Sequence, residues 1–362
     1  MEPIELPLDL QIPGRLPGFG PGFMAHGPAS SADLLAPLTR RAGVGAIVTS
    51  RDTAATRKAI RTVLGTNPAA SVLADADRYS GKKRRIGAEG MTVGWIQMQL
   101  RAGCEWALTD SGYIPAADSV ALQHVLAWSA KSERIIVALP LALSWLTDHR
   151  DELCSAINAA GVPVALILEH ETDPLSRREA VCGLIEVLAC DAPVLLLRSD
   201  VSTLGALAHG AAVVSVGTRS RYRHIYPLPE KDDDSEGFTP PTSAFVRPLL
   251  SFKYLDIIAD LHTRNPDSAL WKCGCVICAG RTIDWITTAV DREAAAFEHS
   301  VAALALTAAE LLGDPMPSIR WQTMCAEAQL AFDEIPYPSG KPRQFPAALR
   351  AWVQSTPQSA AS

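Results

Sequence analysis

Apolar runs of strand length recur along the middle of the chain, and each is followed by a stretch of alanine, leucine and charged residues with helical character. The runs are continuously apolar and do not alternate with polar residues, which is typical of parallel strands that are covered on both faces. Seven runs are clear and the last is weaker; they occupy residues 44–50, 71–77, 104–110, 134–140, 162–168, 192–198, 211–217 and 244–252.

This repetition predicts an α/β fold. Seven or eight strand-and-helix units favour a TIM (β/α)8 barrel over an open doubly wound sheet. No GxGxxG fingerprint follows the first run, which disfavours a dinucleotide-binding fold.

Composition narrows the class of protein. The chain has 362 residues, of which 48% are hydrophobic and 20% are charged, as in globular proteins. No apolar run reaches the roughly 20 residues of a membrane span, and no basic segment leads into an apolar stretch at the N-terminus, so we expect a cytoplasmic protein without a membrane partner. The net charge of −6 argues against broad nucleic-acid binding, although residues 82–85 and 219–224 form basic patches.

Polar residues stand at the ends of the predicted strands, which is where the active sites of TIM barrels lie. Two carboxylates that meet at one barrel mouth perturb each other's proton affinity, as acid–base chemistry requires. Helix N-capping is the alternative interpretation, and it is favoured for Asp200. The residues concerned are Asp75, Asp77, Arg78, Tyr79, Asp110, Ser111, Glu169, His170, Glu171, Arg198, Ser199 and Asp200.

Three of the eight cysteines lie close together in WKCGCVICAG. Cys273, Cys275 and Cys278 form a C-x-C-x-x-C array, whose spacing suits tetrahedral zinc. His299, 21 positions after Cys278 in a helical stretch, is the preferred fourth ligand, and His262 is the competing one. Reduced free thiols and an iron–sulfur cluster are the other interpretations.

These features divide the chain into four parts. We predict an N-terminal extension at 1–43, the barrel at 44–265, a zinc-binding subdomain with a helix at 266–312, and a C-terminal helical segment with a disordered tail at 313–362. The acidic stretch 227–242 is bounded by prolines and is expected to be a mobile loop.

A βα barrel followed by C-x-C-x-x-C and a helical histidine resembles the tRNA-guanine transglycosylase family, including its queuine and archaeosine types and the relatives that insert deazaguanines into DNA. The resemblance spans roughly residues 44–312, and the zinc motif is its specific part. It implies a structural zinc ion and exchange of guanine for a 7-deazaguanine in tRNA or DNA, as in queuosine formation.

The resemblance also implies roles for individual residues. DADRYSG is similar to the family's DSGGFQ segment, which makes Asp77, or else Asp75, the second-strand carboxylate that handles the base. TDSG places Asp110 at the position for base recognition, with Ser111 and Gly112 beside it.

The family's nucleophile is an aspartate that attacks the ribose carbon, and its position falls on Ser215 or its neighbours, where this chain has no aspartate. One interpretation is a divergent base-exchange enzyme in which Asp200, Glu169 or Asp110 supplies the nucleophile.

The second interpretation is a catalytically silent relative. Such a protein would bind nucleic acid, pair with itself, or form a hetero-oligomer with a catalytic subunit. Arg219 and Arg221 would suit phosphate contacts and Tyr222 would stack on a base, whereas the same segment could also be an exposed polar turn.

A third interpretation is a metal-dependent barrel hydrolase. It would need ligands with an open coordination position at the barrel mouth. His170 and His224 are the histidines near predicted strand ends.

Overall fold

The computed structural model describes residues 16, 19, 22–228, 241–335 and 345–355. Within them, eight parallel strands form one sheet. The strands are β1 (Phe23–Pro28), β2 (Gly45–Thr49), β3 (Val72–Asp75), β4 (Ala107–Leu108), β5 (Ile135–Ala142), β6 (Val164–Glu169), β7 (Val194–Ser199) and β8 (Val213–Gly217).

The sheet curls into a nearly closed barrel. Its strand order is β3-β2-β1-β8-β7-β6-β5-β4, and the end strands β3 and β4 pack beside each other. The ladder between β1 and β8 joins the first strand to the last, with Met24 opposite Ser215. The prediction of a TIM barrel is therefore confirmed.

Helices cover the outside of the barrel. They follow the strands as α1 (Ala32–Arg41), α2 (Thr53–Thr66), α3 (Val93–Ala102), α4 (Ser119–Leu126), α5 (Ser144–Thr147), α6 (Arg150–Ala160), α7 (Arg178–Leu188) and α8 (Thr203–Ala208). Side-chain caps begin several of them; the Asp52 carboxylate accepts from the Ala54 N–H, and the Asp118 carboxylate accepts from the Ala121 N–H.

Two strand predictions are wrong. The first barrel strand is β1, which lies inside the segment expected to be an extension. Its sequence FMAHGP is short and contains His26, Gly27 and Pro28, so it lacks the continuous apolar pattern of the other strands. The segment 244–252 does not enter the barrel. It forms the antiparallel pair β9 (Ser243–Val246) and β10 (Ser251–Tyr254).

The segment between β9 and β10 explains why residues 244–252 do not form a single barrel strand. A 3-10 turn at Arg247–Leu249 contains Pro248, and Leu250 has φ 44°. Proline removes a ladder donor and a left-handed residue reverses the chain, so the run folds back on itself. The barrel strands accordingly span Phe23 to Gly217 and not the predicted range of 44–265.

Further helices follow the barrel. They are α9 (Leu255–Arg264), α10 (Arg292–Leu312), α11 (Pro317–Glu334) and α12 (Ala347–Gln354). Among the described residues, α10 is the one helix long and apolar enough to cross a membrane, and 61% of its apolar window is buried in the fold, as in a core helix. The expected loop at 227–242 and the expected disordered tail fall largely outside the described residues.

The packing of α7 against α5 gives a test of the fold. A Cβ at Gly183 would lie 1.9 Å from the Leu146 carbonyl oxygen, whereas a Cβ at Gly94, in α3, would meet nothing within 4 Å. We expect Gly183→Ala to lower the free energy of unfolding by about 2 kcal/mol or more, because backbone must move to accommodate the methyl group. Gly94→Ala should leave the free energy unchanged or raise it by up to about 1 kcal/mol. Urea unfolding of both variants measures this, and equal effects would contradict the packing.

Candidate functional site

The four predicted metal ligands come together outside the barrel. One ligand atom from each of Cys273, Cys275, Cys278 and His299 lies within 4.8 Å of the others, and all four residues are buried. The cysteines sit on a tight knuckle in which the Cys273 N–H donates to the Arg281 carbonyl and the Gly280 N–H donates to the Cys273 carbonyl. Gly280 has φ 87°, which allows this sharp reversal.

His299 is oriented for ligation by the partner of its other nitrogen. Its Nε2 lies 2.8 Å from the Phe245 carbonyl oxygen of β9, so Nε2–H donates there and Nδ1 is left as the ligand atom. Nδ1 lies 3.1 Å from the Cys278 sulfur and 3.8 Å from the Cys275 sulfur. His262, the competing ligand, lies instead beside Asp284, with Nε2 3.7 Å from the carboxylate.

This donor set fits a metal of the zinc class. Three thiolates and one imidazole satisfy four tetrahedral positions and leave none for a substrate, which is the pattern of a structural site. The Trp285 indole N–H donates to the Cys278 sulfur at 3.3 Å and would support the ligand from outside. The group could therefore hold zinc, which would fix α10 and β9 to the knuckle.

The barrel mouth is built around the buried carboxylate of Asp75, at the end of β3. His26 of β1 lies 3.2 Å from Asp75 Oδ2 and 2.8 Å from Thr49 Oγ1, and the Tyr79 hydroxyl donates to the same carboxylate at 2.7 Å. Burial by itself would raise the pKa of Asp75, but the hydrogen bond and charge of His26, the charge of Arg198 and the hydrogen bond from Tyr79 lower it to about 2. Asp75 is thus a fixed negative charge.

Arg198 crosses the mouth from β7 to reach the carboxylates of the β3 side. Its Nη1 lies 2.5 Å from Asp77 Oδ1, and its Nη2 donates to the Arg221 carbonyl at 2.9 Å. Both Arg198 (φ 52°) and Asp77 (φ 49°) adopt left-handed backbone conformations. Strain of this kind persists only where surrounding contacts enforce it, and it is concentrated at functional sites.

Asp110 is buried beneath the loop that carries Arg78. Its carboxylate accepts from the Thr92 N–H at 3.1 Å, at the start of α3, and lies 3.6 Å from the Arg78 guanidinium. Burial raises the pKa of Asp110, although the hydrogen bond from Thr92 and the charge of Arg78 oppose this. Asp110 does not cap the helix that follows its strand, because Asp118 is the N-cap of α4; it binds instead the backbone N–H of Thr92, the N-cap residue of α3.

The two residues after Asp110 are engaged within the fold. The Ser111 hydroxyl is 2.8 Å from the Thr109 hydroxyl, and the Gly112 N–H donates to the Gly87 carbonyl at 2.7 Å. A Cβ at Gly112 would lie 2.6 Å from the Arg85 backbone, so close approach requires glycine here.

A second ion pair between an arginine and a carboxylate lies on the opposite side of the mouth. Glu169, at the end of β6, lies 2.5 Å from Arg84 Nη1 and accepts a short hydrogen bond from the Tyr113 hydroxyl. The Arg84 guanidinium stands over the Tyr113 ring at 4.0 Å, which adds a cation–π contact.

Asp200 and Asp173 form a pair of carboxylates between β6 and β8. Asp173 accepts from the Ser202 hydroxyl at 2.8 Å and from the Leu175 N–H at 2.9 Å. Burial, together with the charge of Asp200, raises the pKa of Asp173 to about 6. Asp200 is 31% exposed and lies 3.4 Å from Arg223. Two carboxyl groups in environments as different as those of Asp173 and Asp200 can take different roles, one as a proton donor and the other as a carboxylate.

His224 lies in the electrostatic field of Asp200. Burial lowers the pKa of His224 to about 4, although the charge of Asp200 opposes the shift. Neither ring nitrogen has a hydrogen-bond partner among the described residues. The ring packs against Tyr226 at 4.1 Å between centroids.

Ser215 occupies the expected position of the nucleophile. It is buried in β8, where its hydroxyl accepts from the Arg198 N–H at 2.9 Å and lies 3.4 Å from His26 Nδ1. Its contacts are those of a residue that positions Arg198 and His26.

The predicted nucleic-acid contacts follow β8. Arg219 is exposed and lies 3.6 Å from Glu293. Arg221 stands over the Tyr222 ring at 4.6 Å, and that ring is buried and stacked on His26 at 6.1 Å. A phosphate group could reach these arginines from solvent, whereas the Tyr222 ring is buried against His26 and Arg221 and offers no open face to a base.

Sequence reasoning missed His26 and Asp173 as site residues. His26 was missed because its strand was not recognised. Asp173 lies in a loop four residues after β6, and its one local signal is the Asp-Pro turn in ETDP. The sequence places Arg198 at a strand end but does not indicate its contacts with the carboxylates of the mouth.

Comparisons with known proteins add little to this geometry. No family model matches the chain, and no curated protein sequence matches it. Similar solved structures include a 3-hexulose-6-phosphate synthase, with 15% identity and a TM-score of 0.33 over 55% of this chain and 90% of that one. Another is a monomeric dihydrodipicolinate synthase variant, with 10% identity and a TM-score of 0.34 over 92% of this chain and 96% of that one. Likenesses this distant carry no inference about activity.

No second group of metal-ligand spacing occurs among the described residues. The Cys3His group is the one that brings together three or more His, Cys, Asp or Glu side chains at that spacing. His170 and His224 of the mouth belong to no such group within the described ranges.

The knuckle makes a prediction about metal content. We expect the purified protein to contain about one zinc ion per chain and Cys275→Ser to lose it, with a lower unfolding midpoint, because three ligands cannot close the site. Cys182→Ser, outside the knuckle, should keep the metal. Elemental analysis and thermal unfolding measure both properties. A well-folded wild-type protein without metal would contradict the zinc assignment.

The raised pKa of Asp173 makes a prediction about pH. The folded state binds this proton more tightly than the unfolded chain, so stability is lost as pH rises from about 4 through about 6. Asp173→Asn removes this cost, so we expect it to raise the free energy of unfolding by about 2 kcal/mol at pH 8 and by almost nothing at pH 4. Urea unfolding at both pH values tests this, with exposed Asp191→Asn as the control. A gain equal at both pH values would contradict the assignment.

Proposed function

We propose that this chain is a divergent transglycosylase-type barrel protein of the cytoplasm that exchanges a guanine base for a 7-deazaguanine in tRNA or DNA. The observation that supports the proposal most strongly is the mouth itself. Asp75 and Asp77 follow β3 and lie 3.8 Å and 2.5 Å from Arg198, Asp110 follows β4 and lies 3.6 Å from Arg78, and Asp173 and Asp200 follow β6 and β7. A zinc-type knuckle follows the barrel, as the resemblance requires.

In this proposal the β3 and β4 side binds the base and the β6 to β8 side carries the chemistry. Asp77 is one-fifth exposed and can accept hydrogen bonds from a guanine ring nitrogen and amine. Asp110 has no exposed side-chain surface, so it supports the base-binding loop through Thr92 and Arg78.

Asp200 is the proposed nucleophile. Its carboxylate attacks C1′ of the sugar, the C1′–N9 bond breaks, and the electron pair goes to N9 of guanine, which takes a proton from Asp173. In the second half, N9 of the deazaguanine attacks C1′ and displaces Asp200 while its proton goes to Asp173. The target nucleotide must be flipped out or lie in a loop to reach this mouth.

A specific observation favours a second candidate, a non-catalytic partner that binds nucleic acid. Asp77, Glu169 and Asp200 each have an arginine partner, Arg198, Arg84 and Arg223 respectively. Pairing lowers the nucleophilicity of a carboxylate, and the family's position for the nucleophile holds Ser215.

Base exchange can be tested directly. We expect wild-type protein to incorporate labelled guanine or a deazaguanine into tRNA or into DNA. Asp200→Asn should reduce the rate by at least 1,000-fold, because the amide cannot form the glycosyl intermediate, and exposed Asp191→Asn should leave it unchanged. Asp77→Asn should raise KM for the base more than it lowers kcat.

The outcomes separate the two candidates. If neither tRNA nor DNA undergoes exchange but nucleic acid binds, and binds more weakly to Arg219→Ala, the base-exchange enzyme is rejected in favour of the non-catalytic partner. Absence of both exchange and binding would overturn both candidates.

A further inference from the structure

The part of the chain from residue 40 to residue 101 carries a charge opposite in sign to that of the whole protein. It contains 12 arginine and lysine residues against 4 aspartate and glutamate residues, whereas the whole chain has a net charge of −6. Its elements are the end of α1, then β2, α2, β3 and α3, and α2 packs against both α1 and α3. One side of the barrel is therefore positively charged, and such a surface attracts a partner of negative charge.

The outer face of α2 holds cations that no acidic residue of the same helix balances. Arg57, Lys58 and Arg61 are exposed, and residues 53–66 include no aspartate or glutamate. None of the three cations has a carboxylate partner among the residues that the structure describes. Arg57 and Arg61 are four positions apart, and like charges at this spacing destabilise a helix. A local cost of this kind, without compensation inside the fold, indicates that the face serves a partner.

This face of α2 begins at the rim of the barrel mouth. The helix follows the loop after β2, and that loop carries Arg51. Arg51 Nε donates to the Asp77 carbonyl at 3.0 Å, and its guanidinium lies 3.6 Å from the Asp77 carboxylate. Arg51 also donates to the Ser80 carbonyl at 2.7 Å, so the loop with the exposed Lys83 adjoins the same rim. Positive charge therefore runs from the proposed base-binding carboxylate to the outside of the barrel.

The chemistry of the face fits a phosphate backbone better than a lipid surface. Helices that bind membranes carry large apolar side chains, which enter the lipid while the cations contact the headgroups. None of the exposed large hydrophobic side chains of the described residues lies on α2. Cations on a rigid helix, without apolar neighbours, can bind phosphate groups at any sequence and so position a nucleic acid.

We infer that Arg57, Lys58 and Arg61 of α2 bind the phosphate backbone of the nucleic acid whose target nucleotide enters the barrel mouth. The inference rests on the proposed function, because it takes nucleic acid to be the substrate or the bound partner. It adds a contact surface outside the mouth, on the β2 and β3 side. One nucleotide in the mouth offers few phosphate contacts, so a surface of this kind would supply much of the affinity.

Two charge-reversal variants of equal net charge test the location of the contacts. The α2 variant carries Arg57→Glu, Lys58→Glu and Arg61→Glu. The control variant reverses three exposed cations elsewhere and carries Lys131→Glu, Arg134→Glu and Arg350→Glu. Fluorescence anisotropy measures the binding of a labelled tRNA transcript and of a labelled single-stranded DNA over a range of salt concentrations. Circular dichroism checks folding, and Arg57→Gln, Lys58→Gln and Arg61→Gln together give the same test with a smaller change of charge.

We expect the α2 variant to bind nucleic acid about tenfold more weakly or worse, and the control variant to bind like the wild type. The plot of log Kd against log salt concentration should lose about 2 from its slope, because three phosphate contacts disappear. In the exchange reaction, the α2 variant should raise KM for the nucleic acid and leave KM for the free base unchanged.

The outcomes distinguish this inference from the proposed function. If the wild type binds nucleic acid and the folded α2 variant binds it as well as the control variant does, the inference is overturned and the proposed function stands. If exchange is absent but binding depends on α2, base exchange is rejected and the inference stands. If the wild type binds neither nucleic acid up to about 100 μM, on the order of the weakest non-specific affinities, both are overturned. Binding only to phosphatidylcholine vesicles that contain phosphatidylserine, lost in the α2 variant, would assign the face to a membrane and overturn the inference.

Discussion

Arg198 places a buried positive charge in the barrel mouth, 2.5 Å from Asp77 and 3.8 Å from Asp75. An unpaired charge in such a place costs several kcal/mol, so the cation and the carboxylates depend on each other. The remaining donors of the guanidinium bind the carbonyl groups of Arg221 and His224. One side chain of β7 thereby connects the loop after β3 to the loop after β8, and both Arg198 and Asp77 have left-handed backbone conformations at this link.

A second set of contacts organises the chain beyond the barrel. The His299 imidazole and the Ser300 hydroxyl, neighbours on α10, both bind backbone groups of Phe245 in β9. The other ring nitrogen of His299, Nδ1, faces the cysteine knuckle and lies 3.1 Å from the Cys278 sulfur. The helix is therefore fixed at its middle, and the side chains nearer its N-terminus, such as Phe297, line a cavity beside the barrel.

The sequence predicts the elements whose signals are local. Continuous apolar runs identify seven of the barrel strands, and the spacing of Cys273, Cys275 and Cys278 identifies the knuckle before any fold is known. β1 is not predicted because it contains a polar residue, His26. This side chain faces the barrel interior, where Thr49 and Asp75 are its hydrogen-bond partners. The sequence around His26 contains no pattern that indicates these distant hydrogen-bond partners.

The same reasoning explains why the sequence indicates where the candidate site residues lie but not which residues they contact. Asp75, Asp77 and Asp110 could be placed at the mouth, because strand ends of a barrel converge. Their roles depend on neighbours far away in sequence, such as Arg198 for Asp77 and Thr92 for Asp110. Asp173 acquires its raised pKa from burial and from Asp200, 27 positions later, so no pattern around residue 173 could reveal it.

The arginine pairs connect the two candidate functions physically. Arg223 lies 3.4 Å from Asp200 and forms part of the loop that also carries the exposed Arg219. A phosphate group that binds this loop competes with Asp200 for the guanidinium, because phosphate accepts charge-assisted hydrogen bonds as a carboxylate does. Loss of that partner would make Asp200 a better nucleophile and would strengthen its effect on the Asp173 proton. If the protein exchanges bases, Arg223 would therefore keep Asp200 a weak nucleophile until nucleic acid binds. If the protein is the non-catalytic partner, Arg223 would bind the phosphate in the same way, but Asp200 would not go on to attack the sugar.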